Sequence, residues 1–258
     1  MNMTPDDLKI ARKSYGYIPA RLIRVSDDHA AKVTWKSLKL DIDVPHNWAT
    51  GDPKIRTRYS SQELDTYHDQ LLNSERDDDL PLGLLSVVFW GYASGVDGRV
   101  NPMFALSRSR RILCGRKNVS PQKVEEVIAH LRRARELLKT SRIADALQEA
   151  QEIRFLGMSF ASKVLTFMNP NIAAVYDSIV SNRLGGSSSD LKSLFVSTRP
   201  TNSRKGRMHQ GIIYERWCRW CLKMAESLNA SSMKWTDWNG VEYDWRAVDV
   251  ERAFFALG

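Results

Sequence analysis

The thirty residues from Phe155 to Leu184, FLGMSFASKVLTFMNPNIAAVYDSIVSNRL, constrain the fold more than any other stretch. Gly157-Met158-Ser159-Phe160 reads as a tight hairpin. A helix is predicted from about Phe160, because Phe160, Val164 and Phe167 recur at the spacing that puts them on one face. Asn169-Pro170-Asn171 breaks that helix, and Asp177 stands where the next one would be capped. With the periodic segment that precedes it, the unit is helix, hairpin, helix, turn, helix. It places a lysine, Lys163, at the edge of an apolar arc and an aspartate, Asp177, fourteen residues later.

Each of these residues has an ordinary reading. A lysine at the border of an apolar face commonly packs its stem and leaves its amine in water. An aspartate at a helix start commonly accepts backbone N–H bonds. The two occurring together around one hairpin in a basic chain point further. A lysine buried among apolar side chains loses some of its preference for the charged form, as a nucleophilic amine must. A nearby carboxylate can stabilise positive charge and move protons.

The segment resembles the helix-hairpin-helix DNA glycosylases, and most closely their 8-oxoguanine branch in archaea and the small bacterial proteins of that fold. Phe160-Ala161-Ser162-Lys163 matches the Phe-Ala-x-Lys that carries that branch's catalytic lysine. Val175-Tyr176-Asp177-Ser178-Ile179-Val180 is similar to its Val-Asp-x-x-Val, with one extra residue before the aspartate. Ser159 stands where the family's Gly-x-Gly hairpin has its second glycine. The resemblance implies Lys163 and Asp177 as catalytic residues, with Lys163 attacking C1′ of a flipped nucleotide. It also implies Gly157 and Ser159 as phosphate-contacting hairpin residues and double-stranded DNA as partner. The substrate it implies is 8-oxoguanine or, in a defence role, a hypermodified phage base such as glucosylated hydroxymethylcytosine. No cofactor and no metal are expected.

Charge distribution fits a phosphate-binding face. Residues 97 to 142 hold twelve Lys or Arg against four acids, a net +8 equal to that of the whole 258-residue chain, whereas residues 62 to 79 hold seven acids and one base. Such polarity suits a nucleic-acid backbone. Within the basic region, 130 to 142 reads as a solvated helix face. Arg108, Arg110 and Arg111 lie between apolar segments and read either as phosphate contacts or as a surface turn. Arg199, Arg204, Lys205 and Arg207 read as a basic loop.

The rest of the chain predicts a mainly α fold of two helical lobes with a cleft between them. Helices are expected at about 80–93, 121–139, 141–154, 160–168, 177–184 and 210–228, with a last short one in DWRAVDVERAFFALG. The helix-hairpin-helix would span about 143–184 within a core of 80–258. Residues 1–79 are the least readable; they are expected to pack on that core, with AKVTWKSLKLDIDVP reading as a short hairpin or an extended arm. An extruded base needs apolar walls. Trp90, Tyr92 and Phe254 are the candidates, with Trp217, Trp220, Trp245 and Phe255 behind them. Cys114, Cys218 and Cys221 are too few for a disulfide framework, and Cys218 and Cys221 read as buried helix residues rather than half of a metal site. No apolar run is long enough to span a bilayer, and MNMTPDDLKIARKSYGY lacks a signal peptide's apolar stretch, so a cytoplasmic monomer is expected. Two non-enzymatic readings stand beside the glycosylase: a DNA-binding protein that keeps the hairpin only for phosphates, and a helical adaptor for an acidic protein.

Overall fold

The computed structural model describes residues 4–25, 34–45, 58–93, 101–187, 190–201 and 203–257. It is mainly α-helical, as expected. The helices are α1 (Pro5–Ser14), α2 (Ser61–Leu72), α3 (Asp79–Ala93), α4 (Pro102–Cys114), α5 (Val124–Lys139), α6 (Ile143–Ala150), α7 (Met158–Met168), α8 (Ser178–Gly186), α9 (Arg204–Ala230) and α10 (Ala247–Ala256). Two small antiparallel pairs accompany them, β1 (Arg21–Arg24) with β2 (Leu40–Asp43) and β3 (Trp235–Thr236) with β4 (Glu242–Tyr243).

The organising element is α3. Its sequence, DLPLGLLSVVFWGYA, is apolar all round, and every residue from Leu80 to Trp90 is buried. A helix with no polar face must be enclosed, and α3 is packed by α2, α4, α5, α7 and β1. Among the described residues no helix is long and apolar enough to cross a membrane.

The N-terminal residues are woven into this core. Strand β2, inside the segment expected to form a hairpin, pairs with β1 so that Leu22 opposes Ile42; residues 31–33 of that segment lie outside the described residues. Helix α1 lies against α10, and a sealed network of charges fastens them. Arg12 donates to Asp249 at 3.1 Å and to Ser61 at 2.7 Å, Arg252 grips Asp65 at 2.5 and 2.9 Å, and Arg246 joins Asp65 and Asp249 at 2.6 and 2.7 Å. The Arg12 guanidinium also lies 3.7 Å from the Trp235 ring centroid. Asp237 accepts from Ser60 and from the amides of Ser61 and Gln62, which caps α2 from outside. Burying Arg12 and Arg252, with Arg246 partly exposed beside them, is tolerable only because each meets a carboxylate.

Several boundaries differ from expectation. The run Ser107 to Arg111 is not a turn: it lies inside α4, whose N-cap Asn101 and following Pro102 start a helix after a glycine-rich stretch. The basic loop ends early, because Ser203 caps α9 through Gly206 and so places Arg204, Lys205 and Arg207 in its first turns. Cys218 and Cys221 are buried in α9.

Candidate active site

The connection between α6 and α7 runs from Gln151 to Gly157. Its left-handed residue is Phe155, at φ +69°, an unusual conformation for a bulky side chain. Gly157 is the extended N-cap of α7, so that helix begins two residues earlier than the apolar spacing suggested and Ser159 belongs to its first turn rather than to the hairpin. Gly157 has no side chain with which to cap α7, and no side chain among the described residues takes the amides of Met158 or Ser159, an uncapped helix start of the kind that favours an anion.

Lys163 and Asp177 meet. Lys163 Nζ donates to Asp177 Oδ2 at 3.0 Å, with side chains 5% and 16% exposed. The snorkelling reading is thereby overturned: stem and amine are both inside. The capping reading of Asp177 holds alongside, since its Oδ1 accepts from the amides of Ile179 at 3.0 Å and Val180 at 3.2 Å while Oδ2 takes the lysine. One carboxylate thus serves both a helix end and the amine.

Neighbouring residues fix this geometry. Ser162 Oγ accepts the Tyr176 amide at 2.9 Å, so the residue before the lysine is stapled to the residue before the aspartate. Trp217 donates to Val175 O at 3.0 Å, and the Tyr176 hydroxyl bonds Leu194 O and the Val196 amide. On the other side stands Gly91 of α3. A Cβ there would fall 2.6 Å from the Phe160 ring and 3.2 Å from Lys163 Cδ, so a glycine is what allows α3 to approach the lysine stem.

The electrostatics correct one expectation. Burial does push the Lys163 amine down, but the attraction of Asp177 outweighs it, and the amine is held above its ordinary value. Burial likewise pushes Asp177 up, while Lys163 and the helix amides pull it below the usual carboxylate range. The resting site is a lysine ammonium beside a carboxylate.

Two site neighbours escaped the sequence reading. Tyr17 follows α1 and donates to Gly91 O at 2.9 Å; Lys163 and Asp177 both act electrostatically on its hydroxyl. Glu251 of α10 is 3% exposed, and its carboxyl is pushed up to about 8 by burial and then by Asp177. Neither lies in a recognisable motif. Of the proposed pocket aromatics, Trp90 is buried between Tyr17 (centroids 4.7 Å) and Phe167 (4.9 Å). Phe254 packs on Trp217 at 5.2 Å, inside the core. Its neighbour Phe255 faces Tyr17 and the Arg183 guanidinium, and Arg183 also donates to the carbonyls of Phe254 and Phe255, tying α8 to α10.

Tyr92 is half-buried, stacked on Phe160 at 4.5 Å. The two rings form one wall of a cleft of about 520 Å³ beside the hairpin, rimmed by Arg108, Arg111, Arg116, Arg154 and Arg207. The basic residues divide here. Arg132, Arg133, Arg135, Lys139 and Arg142 are each ion-paired, with Asp77, Glu149, Glu75, Glu136 and Asp145 respectively. Arg108, Arg110 and Arg111 have no carboxylate partner among the described residues, and the Arg108 guanidinium instead lies 4.7 Å from the Phe104 centroid. Arg99 lies outside the described residues. No group of three or more His, Cys, Asp or Glu among the described residues is placed to hold a metal ion.

A mainly helical fold with a buried lysine and aspartate joined across a helix-hairpin-helix is that of the helical DNA glycosylases. The family described as "Putative 8-oxoguanine DNA glycosylase OGG-like protein" matches residues 27–255, and the chain belongs to that family. No curated protein and no solved structure matches it.

Proposed function

We propose that the protein excises a modified base from double-stranded DNA with Lys163 as nucleophile and Asp177 as its electrostatic partner. The observation that carries this reading is the buried 3.0 Å contact between them, formed by residues from two helices and held by the Ser162–Tyr176 staple. The amine is freed when its proton moves to Asp177 or onto the departing base. Its lone pair then bonds to C1′ as the C1′–N bond breaks, and the electron pair leaves with the base, which takes up a proton. Positive charge that develops on the sugar faces the Asp177 carboxylate. Loss of the second amine proton and opening of the C1′–O4′ bond give a Schiff base, from which loss of a C2′ proton can expel the 3′ phosphate.

The unpaired Arg108, Arg110 and Arg111 and the open amides of α7 supply contacts for the DNA backbone near this site. The substrate is 8-oxoguanine in a repair role or a hypermodified phage cytosine in a defence role. The protonated resting state of Lys163 favours a second mechanism as well, in which Asp177 activates water and the lysine supports the sugar only through its charge.

Base release measured by mass spectrometry tests the reading. Wild type is compared with Lys163→Ala and Asp177→Asn on duplexes carrying 8-oxoguanine or glucosylated hydroxymethylcytosine. Release lost in either variant supports a glycosylase, and borohydride trapping of a protein–DNA adduct separates amine attack from water attack. DNA binding with no release from any duplex would instead support a protein that keeps the hairpin for phosphates alone.

A further inference from the structure

The cleft beside the hairpin is more than a phosphate-binding surface needs. Contacts to a nucleic-acid backbone can be made from an open face. Here a concavity of about 520 Å³ is walled by Tyr92 and Phe160 and lined by five arginines against one acid, Glu152. Arg207 pairs with Glu152, and Arg154 donates to Ser120 O at 2.9 Å. The guanidinium groups of Arg108, Arg111 and Arg116 have no hydrogen-bond or ion-pair partner among the described residues. Arg108 is nonetheless held in place, 4.7 Å from the Phe104 centroid and 5.6 Å from that of Tyr92.

Three unpartnered cations gathered around one concavity repel one another, and an anion relieves that. The lining carries four more positive than negative charges, whereas one phosphodiester carries a single negative charge, so more than one phosphate is called for. Val88, Ile112, Leu156 and Pro200 sit among the arginines and offer a phosphate nothing. Apolar surface beside a half-buried aromatic ring suits a nucleobase, whose face stacks on such a ring whatever the sequence. The ligand class is then a nucleoside with a phosphate on either side, as in an internal residue of a DNA strand. Phe160 joins this cleft to the reactive pair: its ring stacks on Tyr92 at 4.5 Å, and its centroid lies 5.7 Å from Lys163 Nζ. Separation by a single side chain matches consecutive nucleotides on one strand.

We propose that the cleft holds a second nucleotide of the bound DNA, the neighbour of the reacting nucleotide on the same strand, unstacked against Tyr92 with its two phosphates on Arg108, Arg111 and Arg116. This rests on the glycosylase reading of Lys163 and Asp177. Drawing the neighbour out of the stack removes the face on which the reacting base would otherwise rest, so contacts in the cleft offset part of the cost of extruding that base. A purine has the larger face to lay on the ring. Excision therefore acquires a preference for a purine at this neighbour, a sequence context set by stacking and by no contact to a base edge.

The experiment measures duplex affinity by fluorescence anisotropy. Each duplex carries one tetrahydrofuran abasic residue, which lacks the C1′ oxygen and cannot react with Lys163. A second tetrahydrofuran then replaces the 5′ neighbour, the 3′ neighbour or the opposite nucleotide, deleting a base while keeping its phosphates. In wild type, deletion at one of the two same-strand flanks should weaken binding about tenfold, the size of a base–aromatic stack. In Tyr92→Leu, which keeps apolar bulk without the ring, the same deletion should cost less than about twofold, and Tyr92→Phe should behave as wild type. Arg111→Gln with Arg116→Gln should weaken every duplex alike and flatten the logarithmic salt dependence by about one to two. Circular dichroism confirms that the variants are folded. An equal loss in wild type and Tyr92→Leu, no loss at either flank, or coupling to Tyr92 only from the opposite nucleotide would overturn the proposal; preference for the abasic over the unmodified duplex would still leave the glycosylase reading standing. Deoxyadenosine 3′,5′-bisphosphate presents the same chemistry off the strand and should bind only at millimolar concentrations in calorimetry, since it lacks the tether to the rest of the duplex. Micromolar binding that persists with duplex bound would assign the cleft to a free nucleotide and overturn the proposal. No preference of wild type for the abasic duplex would defeat the glycosylase reading and this inference with it.

Discussion

Replacing Glu251 with glutamine should stabilise the protein, and by an amount that grows with pH. The folded carboxyl holds its proton up to about pH 8, whereas the unfolded chain releases it above 4.5. A raised folded value means that stability present below pH 4.5 is lost progressively as the pH climbs to 8, because throughout that window the unfolded state sheds a proton that the folded state keeps. At about 1.4 kcal/mol per pH unit the cost reaches about 3 kcal/mol at pH 7 and about 4 kcal/mol at pH 8, where the folded carboxyl is itself half ionised. Glutamine is neutral in both states, nearly the same shape, and free of this cost. Urea denaturation of wild type and Glu251→Gln at pH 5, 7 and 8 reads the difference directly. The midpoints should nearly coincide at pH 5 and separate steadily above it. Equal stability at pH 8, or a less stable variant, would mean that the carboxylate is ionised and well held in the fold, and the reasoning about a neutral acid would fail.

His68 gives the opposite slope. Burial lowers it to about 4 from 6.5, so stability should fall by about 3 kcal/mol as pH drops from 6.5 to 4, and urea midpoints of His68→Leu should lack that fall. Asp249→Ala strands Arg12 inside the fold and leaves Arg246 with Asp65 alone; it should cost about 3–5 kcal/mol, read as a large drop in the thermal midpoint. Gly91→Ala presses on the Phe160 ring and the Lys163 stem; it should cost about 1–3 kcal/mol and reduce base release well beyond its effect on folding, measured as single-turnover rate beside melting temperature. The double variant Arg108→Gln with Arg111→Gln should flatten the logarithmic salt dependence of DNA affinity by about one to two without altering the melt.

What the sequence made legible was whatever local pattern governs. The apolar run of α3 could only be an enclosed helix, and the lysine and aspartate were visible because a proline break returns the chain between them. Charged residues with distant partners were not legible. Asp249, Glu251 and Arg252 stand in DWRAVDVERAFF, which reads as an ordinary amphipathic end. Nothing near them shows that Asp249 faces Arg12, more than two hundred residues away, or that the charge of Asp177 acts on Glu251. The arginine run in α4 misled for a related reason, since a cluster of like charges beside glycines resembles a turn until Asn101 is seen capping a helix. Local pattern also set the α7 start too late, because it followed apolar spacing and missed Gly157 as the cap.

The charge network between the first and last helices has a consequence during synthesis. Arg12, Ser61 and Asp65 leave the ribosome well before the groups that neutralise or orient them, Asp249 and Arg252, which are translated about two hundred residues later. Until they emerge, the N-terminal helix carries a cation with nowhere to be buried, and Tyr17, just after it, has no settled place beside Lys163. The packing around the lysine is therefore completed only after α10 has been translated, and a chain that stops short of α10 lacks it.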